Sequence, residues 1–112
     1  MQKKIHIFIE YKIAAGKEQR YRQLMEETAQ ALDALGASSF QWLEAVDQDR
    51  LYVEMFELES LSVYHTVKEA RRSKNHPVFG KLDECLEGGL DHLHCWGFVS
   101  KNDELEEKLG GT

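Results

Sequence analysis

Two carboxylates and three imidazoles fall at strand spacing in this 112-residue chain. Glu10 lies in His6-Ile7-Phe8-Ile9-Glu10 and Glu54 in Tyr52-Val53-Glu54-Met55-Phe56, and in both stretches polar or aromatic residues alternate with aliphatic ones. Two carboxylates on neighbouring strands in a covered cavity cannot both ionise cheaply. One of them would then titrate nearer neutrality and serve as a general acid or base. His92 and His94 share a strand face, and His6 falls on the matching face of the first strand. With Glu10 or Glu54 these histidines would suit a zinc, iron or other transition-metal ion, or proton transfer to an acidic organic ligand. They would equally suit hydrogen-bonded packing at a subunit seam. The catalytic candidates are Glu10, Glu54, His6 and His94. Phe8, Tyr52, Phe56, Trp96 and Phe98, with His92 and Trp42 beside them, would form a wall for a flat aromatic ligand, or else the packed core of a dimer.

These residues need strands to hold them. In Ile5 to Tyr11, Leu51 to Glu57 and Leu90 to Ser100, one row is aliphatic (Ile5, Ile7, Ile9; Leu51, Val53, Met55; Leu93, Cys95, Gly97, Val99). The other row mixes histidine, glutamate and aromatics, a composition that favours cover over open solvent. A helix over about Lys17 to Leu35 follows from Tyr21, Leu24, Met25, Thr28, Ala31, Leu32 and Leu35 on one stripe, with Gly36 as its stop. Ser38 to Val46 reads as a second strand with Phe40, Trp42 and Glu44 on one face, and Asp47 to Arg50 as a hairpin loop into the third strand. Ser60 is the N-cap of a second helix reaching about Ser73. Pro77 opens a short helix through Glu87, with His76 near its N-cap, and Gly88-Gly89 ends it. Lys101 to Thr112 is a charged tail, either a frayed helix or disordered.

The order strand, helix, strand, strand, helix, strand is that of a split βαβ domain. It predicts a four-stranded antiparallel sheet with helices on one face, strands one and three forming a central parallel pair. The aliphatic rows should then pack on the helices, and the His/Glu/aromatic rows should share the open face. Phe8-Ile9-Glu10-Tyr11 echoes Tyr52-Val53-Glu54-Met55, which would give Glu10 and Glu54 equivalent places on adjacent strands.

A formal charge of -6, with Arg71, Arg72 and Lys74 as the densest basic group, argues against a nucleic-acid partner. Cys85 and Cys95 are too far apart for CxxC chemistry and are expected to be reduced thiols. The apolar stretch behind Lys3 and Lys4 is too short and too polar for a signal peptide or membrane span, so a cytoplasmic location is expected.

The hairpin Phe40 to Glu44 and Leu51 to Glu57, the helix Ser60 to Lys68 and the segment His76-Pro77-Val78-Phe79 resemble the dimeric α+β barrel superfamily over roughly residues 3 to 100. That superfamily includes antibiotic-biosynthesis-type monooxygenases, haem-degrading monooxygenases and stress-responsive barrel proteins. The resemblance implies a homodimer whose open sheets face each other across a barrel, with a ligand cavity beside each sheet. Where haem-degrading members carry asparagine, tryptophan and histidine, this chain has Glu10, about Ser73 and about Asp83. Cofactor-free quinone-forming members use asparagine, tryptophan and tyrosine; Trp96 and Tyr52 match in type, but no asparagine lies on a strand.

The expectation is one ferredoxin-like α+β domain over residues 1–100 with a tail over 101–112, acting as a monooxygenase-like homodimer on a small aromatic or polycyclic ligand without a cofactor. A non-catalytic stress-response or ligand-binding dimer is the first alternative. A haem- or metal-handling protein, using His65 or His76 for haem, is the second.

Overall fold

The alternating rows of β1 (Ile5–Lys12) divide the molecule into two sides. Ile5, Ile7, Ile9 and Tyr11 point into the core, while His6, Phe8 and Glu10 point away from it. The computed structural model describes residues 3–110. Its elements run β1, α1 (Glu18–Ala34), β2 (Ser38–Glu44), β3 (Leu51–Leu58), α2 (Leu61–Arg71), β4 (His94–Phe98) and α3 (Asn102–Lys108). Short 3-10 helices lie at Phe79–Glu84 and Leu90–His92. The four strands form one sheet in the order β2-β3-β1-β4.

Every neighbouring pair is antiparallel, including β1 with β3. This corrects the expected central parallel pair. The crossover through α1 makes β2 parallel to β1, but it sets β2 one place further out. β3 then returns by the tight hairpin and fills the gap between them, so it must run opposite to both.

Helix α1 buries Tyr21, Leu24, Met25, Thr28 and Leu32, the three-and-four stripe that the sequence displays. The Thr28 hydroxyl donates to the Leu24 carbonyl and so satisfies itself inside the core. Gly36 ends the helix with φ +100, a conformation glycine takes without Cβ strain. In α2 the Ser60 hydroxyl accepts the Val63 N–H at 3.3 Å, as expected of an N-cap. Tyr64, Val67 and Arg71 form the buried face of α2. Tyr64 reaches the sheet because β4 offers Gly97 below it: a Cβ there would stand 2.9 Å from the tyrosine ring.

The last strand begins at His94, later than the sequence suggests, because Leu90–His92 is coiled into a 3-10 turn anchored by the Asp83 carboxylate accepting the Leu90 N–H. The helix after Pro77 is a six-residue 3-10 segment. His76 organises its start, its Nδ1 accepting the N–H groups of both Val78 and Phe79 at 3.1 Å. In the tail, α3 has no buried residue, and residues 111–112 lie outside the described residues.

Candidate functional site

The outer face of the sheet takes its geometry from the β1–β4 register. Glu10 stands opposite His94, Phe8 opposite Trp96 and His6 opposite Phe98. Directly opposed residues share a face, so these three pairs form one continuous surface. The Trp96 ring lies 5.8 Å from Phe8 and 5.7 Å from His94, the latter nearly parallel at 8°. Trp96 is 45% and Phe98 55% exposed. At one end Glu10, Lys12, Leu51, Glu87, His92 and His94 line a recess of about 160 Å³. That is smaller than the ~300 Å³ at which cavities ordinarily begin to hold a drug-sized ligand. At the other end Glu57 lies 3.5 Å from Lys4 and 4.0 Å from His6. Glu10, His6, His94, Phe8, Trp96, Phe98 and His92 therefore share one side of the sheet, in the arrangement the sequence predicts. His92 comes from the 3-10 turn instead of the strand.

β3 faces the other way from the sequence reading. Its register sets Glu54 opposite Ile9 and Val53 opposite Glu10, which puts Glu54 and Glu10 on opposite faces of the sheet. Tyr52, Glu54, Phe56 and Leu58 are buried against the helix layer, whereas Leu51, Val53 and Met55 are on the outer face. Four placements are corrected together: Glu54 is not beside Glu10, and Tyr52, Phe56 and Trp42 are not on the open face, Trp42 standing opposite Glu54 on the helix side. The four-residue echo between β1 and β3 does not place equivalent side chains.

Glu54 is fully buried because α2 and the neighbouring strand β1 supply its partners. Arg71, at the end of α2 and equally buried, donates to it from Nε at 3.3 Å and from Nη2. Tyr11 donates its hydroxyl to Glu54 Oε2 at 2.5 Å. The Tyr11 and Tyr21 hydroxyls are 2.6 Å apart, and Trp42 Nε1 donates to Tyr21 at 2.7 Å. The Arg71 guanidinium carbon also lies 5.1 Å from the centre of the Phe79 ring. Among the described residues, Arg71 Nη1 is the buried side-chain nitrogen or oxygen without a hydrogen-bond partner. The sequence carried a signal for this cluster: Tyr64, Val67 and Arg71 are spaced three and four apart, which puts the arginine on the inner stripe of α2.

The cluster has an acid–base consequence. Burial first, then the Glu54 carboxylate, holds the Tyr11 phenol well above the usual tyrosine range, and burial also raises Tyr21. Burial alone would lower the Arg71 pKa, but Glu54 and Tyr11 outweigh it and raise it. A phenol whose folded-state pKa is raised stabilises the fold fully below the unfolded-state pKa near 10 and loses that contribution as pH climbs above it. Stability should therefore fall above about pH 10 with a slope approaching 1.4 kcal/mol per pH unit for each buried phenol. Urea titrations between pH 8 and 11.5 check this, and Tyr21→Phe should flatten the slope by one proton's worth.

No group of three or more His, Cys, Asp or Glu residues is placed to hold a metal ion among the described residues. The His76 surroundings suit haem poorly. Its Nδ1 accepts from two backbone amides, which leaves the ring proton of the neutral imidazole on Nε2; its ring stacks 4.3 Å from Phe79, and the groove beside it is lined by Thr66, Glu69, Ala70, Ser73 and Asn75. His65 lies on another side of α2, next to Tyr64. No helix among the described residues is long and apolar enough to cross a membrane. Cys85 and Cys95 are free and buried, and burial raises the pKa of both thiols.

No protein-family model matches the sequence, and no curated protein matches it. Solved structures do share its architecture. A candidate antibiotic biosynthesis monooxygenase from Bordetella bronchiseptica superposes with TM-score 0.68 at 16% identity, covering 88% of this chain and 98% of that one. The cofactor-independent oxygenase SnoaB from Streptomyces nogalater gives TM-score 0.65 at 12% identity, covering 88% and 94%. A NIPSNAP family protein from Agrobacterium tumefaciens gives 0.65 at 15%, covering 91% and 90%. At identities this low the likeness speaks for the backbone, and one backbone serves many chemistries. The chain shares the ferredoxin-like α+β fold of these proteins.

Proposed function

We propose that the protein is a homodimer joined through the outer sheet face, and that it transforms a small, flat hydroxyaromatic molecule without a cofactor. The observation that carries this reading is the β1–β4 register, which stands Glu10 opposite His94 and Phe8 opposite Trp96; on this reading Glu10 and His94 serve as the base and acid, and the two rings as the platform. A ring stacked on Trp96 would bring its acidic hydrogen toward the carboxylate and imidazole. Removal of that hydrogen leaves an electron-rich carbanion that dioxygen can oxidise directly: an activated ring CH₂ and O₂ become C=O and water. The cofactor-independent oxygenase of the same fold is a precedent for oxygenation without a cofactor on this backbone. A facing copy would deepen the 160 Å³ recess and exclude water from it, which a lone sheet face does not do.

Oxygen uptake and tryptophan fluorescence, measured during titration with polycyclic hydroxyaromatics, test the proposal. Glu10→Gln and His94→Ala should each lower turnover by ~10²–10⁴-fold, the usual worth of a general acid or base, with little change in ligand affinity. Ligand binding without oxygen uptake would instead support a non-catalytic binding dimer, a reading favoured by the solvent-open position of His94 in the single chain. Neither binding nor uptake would remove both.

A further inference from the structure

The polar cluster under the helices is an ordered chain whose direction follows from the donor inventory. An indole N–H can only donate, so Tyr21 Oη accepts from Trp42. A carboxylate can only accept, so the Tyr11 proton goes to Glu54. The one proton left between the two phenols must then run from Tyr21 to Tyr11 across their 2.6 Å contact. Every hydrogen bond from Trp42 onward points toward Glu54. The rings are also close enough to exchange electrons: Trp42 to Tyr21 is 5.7 Å and Tyr21 to Tyr11 is 5.6 Å between centroids. At the outer end Trp42 is 40% exposed; at the inner end Tyr11 is 1% exposed.

We propose that Trp42, Tyr21 and Tyr11 form a path for oxidising equivalents, with Tyr11 as the residue where the radical rests. An outer-sphere oxidant in solution, a high-potential metal complex in its oxidised state, takes one electron from Trp42. The indole is refilled from Tyr21, and Tyr21 in turn from Tyr11. Tyr11 gives up one electron along this path and its phenolic proton to Glu54, leaving a neutral tyrosyl radical beside a protonated carboxyl. The oxidant is reduced by one electron, and no proton leaves the protein. A later one-electron reductant refills Tyr11, and the proton returns from Glu54.

Geometry explains why the equivalent stops there. A phenol this buried cannot release its proton to water, and its raised pKa keeps it protonated until it is oxidised. Its acceptor is already in place at 2.5 Å. Arg71 keeps the carboxylate oriented through two nitrogens. Of the two tyrosines outside the path, Tyr64 packs at the sheet end near Gly97. Tyr52 is also near the path, 4.8 Å from Tyr21, but its hydroxyl donates to Glu44 at 3.2 Å and lies outside the chain that ends on Glu54.

Flash photolysis with a ruthenium tris-bipyridine photo-oxidant and a persulfate quencher, read by transient absorption and electron paramagnetic resonance, tests this. Wild-type protein should yield a neutral tyrosyl radical. Tyr11→Phe should shorten its lifetime by about tenfold or more, because the hole is then left on a phenol without the charge-assisted acceptor. Trp42→Phe, altering a half-exposed position, should slow radical formation severalfold while leaving the final spectrum unchanged. A radical that stays on an indole, or a tyrosyl signal indifferent to Tyr11→Phe, overturns the path. Should Tyr11→Phe fail to fold, Trp42→Phe decides alone, and an unchanged rate of formation then counts against the proposal.

Discussion

Replacing Arg71 by Met with Glu54 left in place is expected to cost about 3–5 kcal/mol of folding stability, the usual effect of stranding one member of a buried ion pair. Glu54 and Arg71 are both 0% exposed, so water cannot make up for the lost partner. The carboxylate would keep only the Tyr11 hydroxyl, and it would have to take up a proton or draw water into the core. The double variant Glu54→Leu/Arg71→Met should behave differently. It removes both desolvated charges and fills the space with apolar volume, so it should recover part of the loss, the remainder being the ~1–3 kcal/mol cost of leaving the buried Tyr11 hydroxyl without its acceptor. Urea midpoints of the two single variants and the double variant form a cycle that isolates the pair. A double variant as unstable as Arg71→Met would mean that the lost packing of Arg71 over Phe79, 5.1 Å away, and not its charge, holds α2 to the sheet.

The second large effect concerns the outer face. Trp96→Glu puts a carboxylate in the middle of the row formed by Phe8, Trp96 and Phe98. If this face joins two copies, twofold symmetry brings two such charges into one interface. Loss of a central aromatic anchor typically costs ~2–4 kcal/mol, a rise of roughly 30- to 1000-fold in the dimer dissociation constant. Leu61→Glu, at a 58% exposed position on α2, is the matched control and should leave the mass unchanged. Light scattering over a range of concentrations reads both. Wild-type protein that stays monomeric at tens of micromolar would remove the shared-barrel architecture and, with it, the enclosed site.

Most of the architecture is visible in the chain because most elements carry a single consistent pattern. The α1 stripe, the Ser60 cap and the Asp47 to Arg50 loop each have one physical reading, and each is found. β1 and β4 also reveal their faces, since Ile5, Ile7 and Ile9, and Leu93 and Cys95, are buried while the alternate residues are not. β3 does not, because both its rows are largely apolar. Leu51, Val53 and Met55 look like the core row only if Glu54 is assumed to need water. What a strand-by-strand reading leaves out is a partner from a distant helix: with Arg71 present, the row of Tyr52, Glu54, Phe56 and Leu58 buries four large side chains instead of three smaller ones. The same omission hides the polar cluster, whose members come from five different elements. On the open face the β1 and β4 candidates His6, Phe8, Glu10, His94, Trp96 and Phe98 lie together as their spacing suggests, because each strand has one plainly aliphatic row to mark its core side.

Trp42 also governs how β2 behaves at the rim of the sheet. Six of the seven residues of this strand are exposed, and its outer side offers unpaired amides and carbonyls of the kind that recruit stray chains into aggregates. The indole bond to Tyr21 and the stacking of Trp42 on Tyr52, 6.1 Å between centroids, latch the rim strand to the interior. Peeling β2 away means opening the core, so the strand is held back from edge-to-edge association by the stability of the whole domain and not by its own few contacts.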